Sequence, residues 1–175
     1  MAASKAEQLA AQMIITEGNS NWHFWQQDSE REMNDHLFHK ILASKAENRV
    51  DIFAEIPVNW VFSLPSRRFP ASEDINRLCK ERDVEDNILS AIQHSVSLGA
   101  LCYDFFVIVH YGHKKKFMAI EINGEHHLTA RQIACDAQKH KISRDKGCRV
   151  FDIPAYNGKL DKMSMRMALA KISEI

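Results

Sequence analysis

Hydrophobic positions recur at two spacings along the chain, and the N-terminal part has the helical one. Two stretches begin with the Ser-x-x-Glu pattern of a capping box, at Ser4 and at Ser29. The pattern predicts two helices, of which the first ends near Gly18 and the second near Ser44. The second helix presents an apolar face of Met33, Leu37, Phe38 and Ile41.

Residues 50–62 change the pattern to VDIFAEIPVNWVF, which is rich in β-branched and aromatic residues and predicts a strand. Because proline cannot donate to a strand ladder, Pro57 places the end of this strand toward a sheet edge. A Pro-rich basic segment, LPSRRFP, follows. Helical spacing then returns over residues 74–97.

Residues 101–123 contain two strongly apolar runs that are separated by Gly112-His113. Glycine as the first central residue suits a two-residue type II′ turn, so the two runs predict a β-hairpin. If Tyr111 pairs with Lys114 across this turn, the register of the whole hairpin follows.

In this register Asp104 lies directly opposite Glu121, with Cβ atoms about 4.5 to 5.5 Å apart. Two carboxylates side by side in an apolar hairpin repel each other, and one of them takes up a proton unless a cation stands between them. Mg²⁺ prefers oxygen ligands and is commonly held by one or two carboxylates together with phosphate oxygens. The hairpin therefore predicts a divalent-metal site. The alternative is that either acid only pairs with a nearby base such as Lys139.

The residues after the hairpin predict a helix, a short buried strand and a closing helix. Thr129-x-x-Gln132 fits a capping box, and this helix should run to Lys146 with Gly147 as its C-cap. Four of its polar residues line one stripe at helical spacing, and they are Gln132, Asp136, Lys139 and Ser143. The segment CRVFDIP predicts the strand, and residues 159–172 predict the last helix.

The composition limits the class of protein. The chain has 175 residues, of which 45% are hydrophobic and 26% charged, with 6 Gly and 4 Pro, and these values exclude collagen-like and low-complexity proteins. The length suits a single domain. Lys and Arg total 23, as do Asp and Glu, so any binding to nucleic acid must use a local basic patch.

The sequence also predicts the cellular setting. No stretch approaches the roughly 18 apolar residues of a transmembrane helix, so we expect a cytoplasmic protein with no membrane partner. The four cysteines lie far apart without a C-x-x-C pair, which favours buried, reduced thiols over a zinc site. A zinc-stabilised adaptor that uses scattered Cys and His residues is a minor alternative. The cysteines are Cys79, Cys102, Cys135 and Cys148.

The segment 103–155 resembles the core of the PD-(D/E)XK superfamily of restriction-endonuclease-like nucleases, closest to an uncharacterised bacterial branch related to very-short-patch-repair endonucleases. That branch typically shows an aspartate, an apolar strand, I-E-x-D-G-x-x-H, D-x-x-K/R and a small-residue turn into a final strand. The matching elements here are Asp104, the segment IEINGEHH from Ile120 to His127, the segment DAQK from Asp136 to Lys139, and Gly147. With the strand at 50–62 included, the similarity covers roughly residues 28–157.

The resemblance implies an α/β (α+β) fold with an αβββαβ core, in which a mixed central sheet is flanked by helices. Residues 1–27 would be an N-terminal helical extension, 28–157 the core and 158–175 a C-terminal helix. It also implies hydrolysis of nucleic acid with Mg²⁺ or Mn²⁺ as cofactor. DNA is the expected partner, and RNA is possible.

The resemblance further implies roles for individual residues. Asp104 and Glu121 would bind the metal, and Lys139 would supply the catalytic lysine from the following helix. His127 and Asp136 would be accessory site residues. Asn123 stands where the superfamily has its lysine, so Lys139 must compensate for it.

Basic residues outside these motifs are candidate contacts to phosphates, since each neutralised phosphate adds salt-dependent affinity. They are Lys114, Lys115 and Lys116 at the hairpin tip, and Arg131. A lysine run at a turn is also typical of a solvated tip. The sequence therefore leaves two functions open, a metal-dependent DNA endonuclease or nickase and a catalytically inactive nuclease fold that binds DNA or protein.

Overall fold

A computed structural model describes residues 4–26, 33–62, 101–124 and 130–174 of the chain. Within these ranges the protein has an α+β fold with a mixed six-stranded sheet and five helices, which confirms the predicted class. The strands are β1 (Trp22–Trp25), β2 (Arg49–Pro57), β3 (Cys102–Tyr111), β4 (Lys114–Asn123), β5 (Arg149–Tyr156) and β6 (Lys159–Leu160). The helices are α1 (Lys5–Glu17), α2 (Asp35–Ala43), α3 (Val58–Phe62), α4 (Ala130–Asp145) and α5 (Lys162–Ser173).

The strands follow one another across the sheet in chain order, from β1 to β6. The β1–β2 and β4–β5 pairs are parallel, and the other three pairs are antiparallel. Helix α4 provides the crossover that a parallel β4–β5 pair needs. Among the helices of the described ranges, none combines the length and the apolar character that crossing a bilayer requires.

The predicted hairpin register is confirmed. Tyr111 pairs with Lys114, and the ladder continues in step to the pair Phe105 and Ile120. Gly112 has a φ of 58°, which suits the first central position of a type II′ turn. The turn thus fixes the pairing of two ten-residue strands.

The two faces of the sheet are covered by different helices. One core contains Val107 of β3 and Ile120 of β4 and packs against α1 and α5. The other contains Phe106 of β3 and Ala119 of β4 and packs against α2, α3 and α4. Glu121 belongs to the second face, under α4, because side chains alternate along β4 and Ala119 packs there. At the start of β3 this alternation is interrupted, since Tyr103 packs in the same core as Phe106.

The predicted starts of the helices are confirmed for α1 and corrected for α2. The Ser4 capping box is present, and α1 ends just before Gly18. Helix α2 begins at Asp35, after Asn34, whose side chain accepts from the backbone N–H of Leu37. Ser29 lies outside the described residues. An asparagine cap closer to the apolar face therefore starts α2 later than the Ser-x-x-Glu pattern predicted.

The prediction of one strand over 50–62 is wrong for its last five residues, which form α3. Strand β2 ends at Pro57, and α3 follows directly. Val58 and Val61 are three positions apart, so a single helical turn buries both. The expectation of a sheet edge at Pro57 agrees with the structure, because β1 pairs only with residues 50–53 of β2 and does not reach Pro57. Strand β1 was not predicted.

The C-terminal elements differ from prediction at their boundaries. Helix α4 ends at Asp145, and Gly147 has the positive φ of 70° that the predicted cap requires. The closing helix begins at Lys162, because Asp161 caps it and residues 159–160 form β6. Strand β5 is less buried than expected, since Asp152 is exposed.

The cysteine prediction is confirmed in part. Cys135 and Cys148 are buried, whereas Cys102 is exposed at the start of β3. Cys79, the segment LPSRRFP and the helix expected over 74–97 lie outside the described residues.

Candidate active site

Asp104 and Glu121 come together at one end of the hairpin. The ladder of β3 and β4 ends at the pair Phe105 and Ile120, and Asp104 and Glu121 are the next residue of each strand. The charge of Asp104 raises the pKa of both Glu121 and Lys139, so the three groups lie close together. The Asp104 Oδ2 accepts a hydrogen bond of 2.6 Å from the backbone N–H of Ile122, which holds this carboxylate against β4. The two acids are therefore neighbours, as the turn predicted.

Lys139 reaches the same place from α4. Its Nζ donates to the Glu121 Oε2 and, at 3.2 Å, to the carbonyl oxygen of Cys102. The Asp136 Oδ1 lies 3.7 Å from Nζ and accepts from the Gln132 side chain at 3.0 Å. The predicted polar stripe of α4 thus faces the two carboxylates.

The last member of that stripe anchors α4 on β3. The Ser143 hydroxyl donates to the carbonyl oxygen of Lys139 at 2.7 Å and forms a hydrogen bond with the Tyr103 hydroxyl. Tyr103 and Ser143 are both fully buried. The carbonyl oxygen of Cys102, the residue before Tyr103, accepts from the Lys139 side chain. Strand β3 therefore contacts α4 at two positions one helical turn apart, Lys139 and Ser143.

The charges of the site are not evenly matched. Glu121 is 2% exposed, and its Oε1 has no hydrogen-bond partner among the described residues. Burial and the neighbouring charge of Asp104 raise the pKa of Glu121 to about 8, although Lys139 opposes the shift. Burial would lower the pKa of Lys139, but the charge and hydrogen bond of Glu121 and the charges of Asp104 and Asp136 together outweigh burial, and the pKa is raised. One ammonium thus faces several carboxylates.

Two further polar residues adjoin the site, Asp152 of β5 and His140 of α4, and the sequence analysis predicted neither. Asp152 is the parallel register partner of Glu121, so these acids of β4 and β5 lie side by side on one face. The Asp152 Oδ1 accepts from the Asn123 side chain at 3.0 Å and contacts the His140 Nε2 at 3.1 Å. No local signal fixes the register of a parallel pair, so the sequence did not indicate Asp152.

The other predicted site residues lie elsewhere. The three lysines of the hairpin tip, Lys114, Lys115 and Lys116, are at the far end of the hairpin. Glu121 is six positions along β4 from Lys115, a distance of about 20 Å. His127 lies outside the described residues, as does the side chain of Arg131. The structure therefore brings together Asp104, Glu121, Asp136 and Lys139, with Asn123 beside them.

Comparisons of the chain with protein-family models, with curated proteins and with solved structures return no match. The nuclease resemblance consequently stays a prediction from the residues. The burial, hydrogen bonds and charges around Glu121 are the observations that bear on function.

Proposed function

We propose that the protein is a metal-dependent nuclease that hydrolyses phosphodiester bonds in DNA, as an endonuclease or nickase. In this proposal Asp104 and Glu121 hold Mg²⁺ or Mn²⁺. The observation that carries it is the state of Glu121, a buried carboxylate beside a second acid, with one oxygen that has no hydrogen-bond partner among the described residues. Buried carboxylate oxygens without partners are rare in proteins, and they point to a missing ligand.

The fold supports the same proposal. Helix α2, the three strands β2 to β4, helix α4 and strand β5 follow in that order, with α3 and residues 63–100 between β2 and β3. This is the order of a restriction-endonuclease-like αβββαβ core. We include that fold assignment in the proposal.

The donor set fits a hard divalent cation. Both ligands are carboxylates, and Mg²⁺ is commonly bound by one or two of these with waters and substrate phosphate oxygens. Within the described ranges, no group of three or more His, Cys, Asp and Glu side chains is placed to hold a metal ion, so the protein would supply two ligands. When bound, such an ion lowers the pKa of a water and offsets charge that develops on the phosphate.

Lys139 acts in this proposal as a charged hydrogen-bond donor and not as a base. Its raised pKa keeps the ammonium protonated at neutral pH, because it faces Glu121. A protonated lysine at this position holds a water or a phosphate oxygen beside the carboxylates. Asp136 and the anchor at Ser143 keep Nζ over the site.

Cleavage of supercoiled plasmid with Mg²⁺ or Mn²⁺ tests the proposal. We expect Asp104→Asn and Glu121→Gln each to lower the rate at least about 10³-fold, since each removes one of two ligands. Asp145→Asn is the matched control, because Asp145 is an exposed acid at the end of α4. Full activity in both site variants would overturn the proposal.

A second candidate is a catalytically inactive nuclease fold that binds DNA or protein. The observation that favours it is the ion pair between Lys139 and Glu121, which already partners one carboxylate oxygen without a metal. Asn123, which stands in place of the superfamily's lysine, is bonded to Asp152 and cannot titrate. This candidate predicts that DNA is retained on the protein without cleavage in any divalent metal.

A further inference from the structure

A cavity of about 190 Å³ lies between the C-terminal end of α2 and the turn of the β3–β4 hairpin. The cavity is far from the proposed metal ligands, because its lining residue Lys115 lies about 20 Å along β4 from Glu121. Its principal lining residues are Ser44, Lys45, His110, His113, Lys114 and Lys115.

The charge of this cavity is positive. Three lysines line it, and no acidic residue does. None of the three forms an ion pair with a residue that the structure describes. A concave surface lined by one sign of charge concentrates counter-ions of the other sign, which here are anions.

A buried histidine borders the same cavity and lacks one partner. His110 is 1% exposed, and its Nε2 is 2.9 Å from the Asp51 Oδ2. Its Nδ1 is buried and has no partner among the described residues. When Nε2–H donates to Asp51, Nδ1 accepts from the hydroxyl of a terminal or free phosphate, and when the ring is protonated, Nδ1–H donates to an oxygen of any phosphate.

The end of helix α2 would oppose an anion, because its last carbonyl groups carry partial negative charge. One of these groups is already satisfied. The Ile41 carbonyl oxygen accepts from the Ser44 backbone N–H at 3.0 Å and from the Ser44 hydroxyl at 2.7 Å. Lys45 follows directly and adds a positive charge at this helix end.

We propose that this cavity binds a phosphate group. Phosphate carries up to two negative charges and several acceptor oxygens, so lysines on two sides of the cavity, Lys45 after α2 and Lys114 and Lys115 on the hairpin, suit it better than a planar carboxylate. The phosphate belongs to a nucleic-acid backbone or is a terminal or free phosphate. The site is additional to the proposed metal centre and does not depend on it.

The chain offers a matched control for this site. Lys115 pairs with His110 and lies on the face of the cavity, whereas the next residue, Lys116, pairs with Val109. Val109 packs in the opposite core, so Lys116 points to the other side of the sheet. The two lysines have the same charge and adjacent positions, and only one of them lines the cavity.

Amide chemical-shift titrations with inorganic phosphate at constant ionic strength, without divalent metal, test the proposal. We expect shifts at Gly112, His113 and Lys114 with a Kd of about 1 mM or tighter. Lys115→Ala should weaken binding at least about fivefold, and Lys116→Ala less than about twofold. Unfolding temperatures of both variants show that the fold is kept.

Two results would overturn the proposal. One is the absence of phosphate binding, and the other is equal weakening by Lys115→Ala and Lys116→Ala, which would mean general attraction to a basic tip. Oligonucleotides with and without a 5′-phosphate then separate the sources. Competition with inorganic phosphate by both oligonucleotides indicates the backbone, and competition by the 5′-phosphorylated one alone indicates a terminal phosphate.

The same titration on Asp104→Asn separates this site from the proposed nuclease. Asp104 is not among the lining residues, so phosphate binding should be unchanged in that variant. If plasmid cleavage is absent while phosphate binds, the nuclease proposal fails and the phosphate site stands.

Discussion

Two buried carboxylates of the sheet, Asp51 on β2 and Glu121 on β4, have very different surroundings. Asp51 is fully buried, and both of its oxygens are bonded, by Trp25, Arg49 and His110 at 2.7 to 3.0 Å. Glu121 is 2% exposed, and among the residues that the structure describes Lys139 bonds its Oε2 and none bonds its Oε1. Asp51 has two possible cations and an indole N–H around it, whereas Glu121 has one cation and a second acid.

This difference is the reason to assign Asp51 a structural role and to propose a functional one for Glu121. A buried charge whose partners are complete joins parts of the fold, and Asp51 connects β1, β2 and β3. A buried acid that lacks partners and has a strongly raised pKa is typical of a functional site. The burial of the two groups is alike, so burial alone does not distinguish their roles.

The largest expected effect is a difference between Asp51 and Glu121 variants in the free energy of unfolding. We expect Asp51→Asn to lower the free energy of unfolding by about 3 kcal/mol, because it leaves Arg49 without its anion and weakens the buried hydrogen bond to His110. Glu121→Gln should change it by less than about 1 kcal/mol, because the removal of repulsion from Asp104 offsets the loss of the ion pair with Lys139, which Asp104 and Asp136 still face. Urea unfolding at pH 7 measures both values. Equal losses would mean that the two acids have the same structural role.

The pH dependence of stability gives the next largest effect. Because the pKa of Glu121 is raised from 4.5 to about 8, the folded state holds a proton there that the unfolded state releases. Its contribution is fully present below pH 4.5 and is lost as the pH rises toward 8. Between these limits the stability of the wild type should fall by roughly 2 to 4 kcal/mol relative to Glu121→Gln. Parallel curves for the two proteins would contradict the raised pKa.

The smallest effect concerns the anchor of helix α4. Tyr103→Phe removes the hydrogen bond between the Tyr103 and Ser143 hydroxyls and should cost about 1 kcal/mol of unfolding free energy. Tyr111→Phe is the control, because Tyr111 is 36% exposed at the hairpin end. Thermal unfolding compares the two variants. No difference between them would show that this hydrogen bond does not hold α4 in place.

The sequence predicted contacts that a local geometry determines. A two-residue turn at Gly112 fixes every pair of the hairpin, so the meeting of Asp104 and Glu121 followed from one residue. The helical repeat of α4 likewise placed Asp136 and Lys139 on one side. These predictions needed no knowledge of distant parts of the chain.

The missed features depend on contacts between distant segments. Asp152 lies beside Glu121 because of the parallel register of β4 and β5, and no short turn determines that register. His110 and Asp51 are 59 residues apart, and their pairing depends on the register of β2 and β3. Residues 58–62 have strand-forming composition, but burial of Val58 and Val61 on one helical turn overrides it.

Binding of Mn²⁺ measured by titration calorimetry tests most directly whether the two carboxylates form a metal site. We expect one ion per chain in the wild type and in Asp145→Asn, and no measurable binding in Asp104→Asn or Glu121→Gln. Binding that is undiminished in both site variants, or absent from the wild type, would contradict the account.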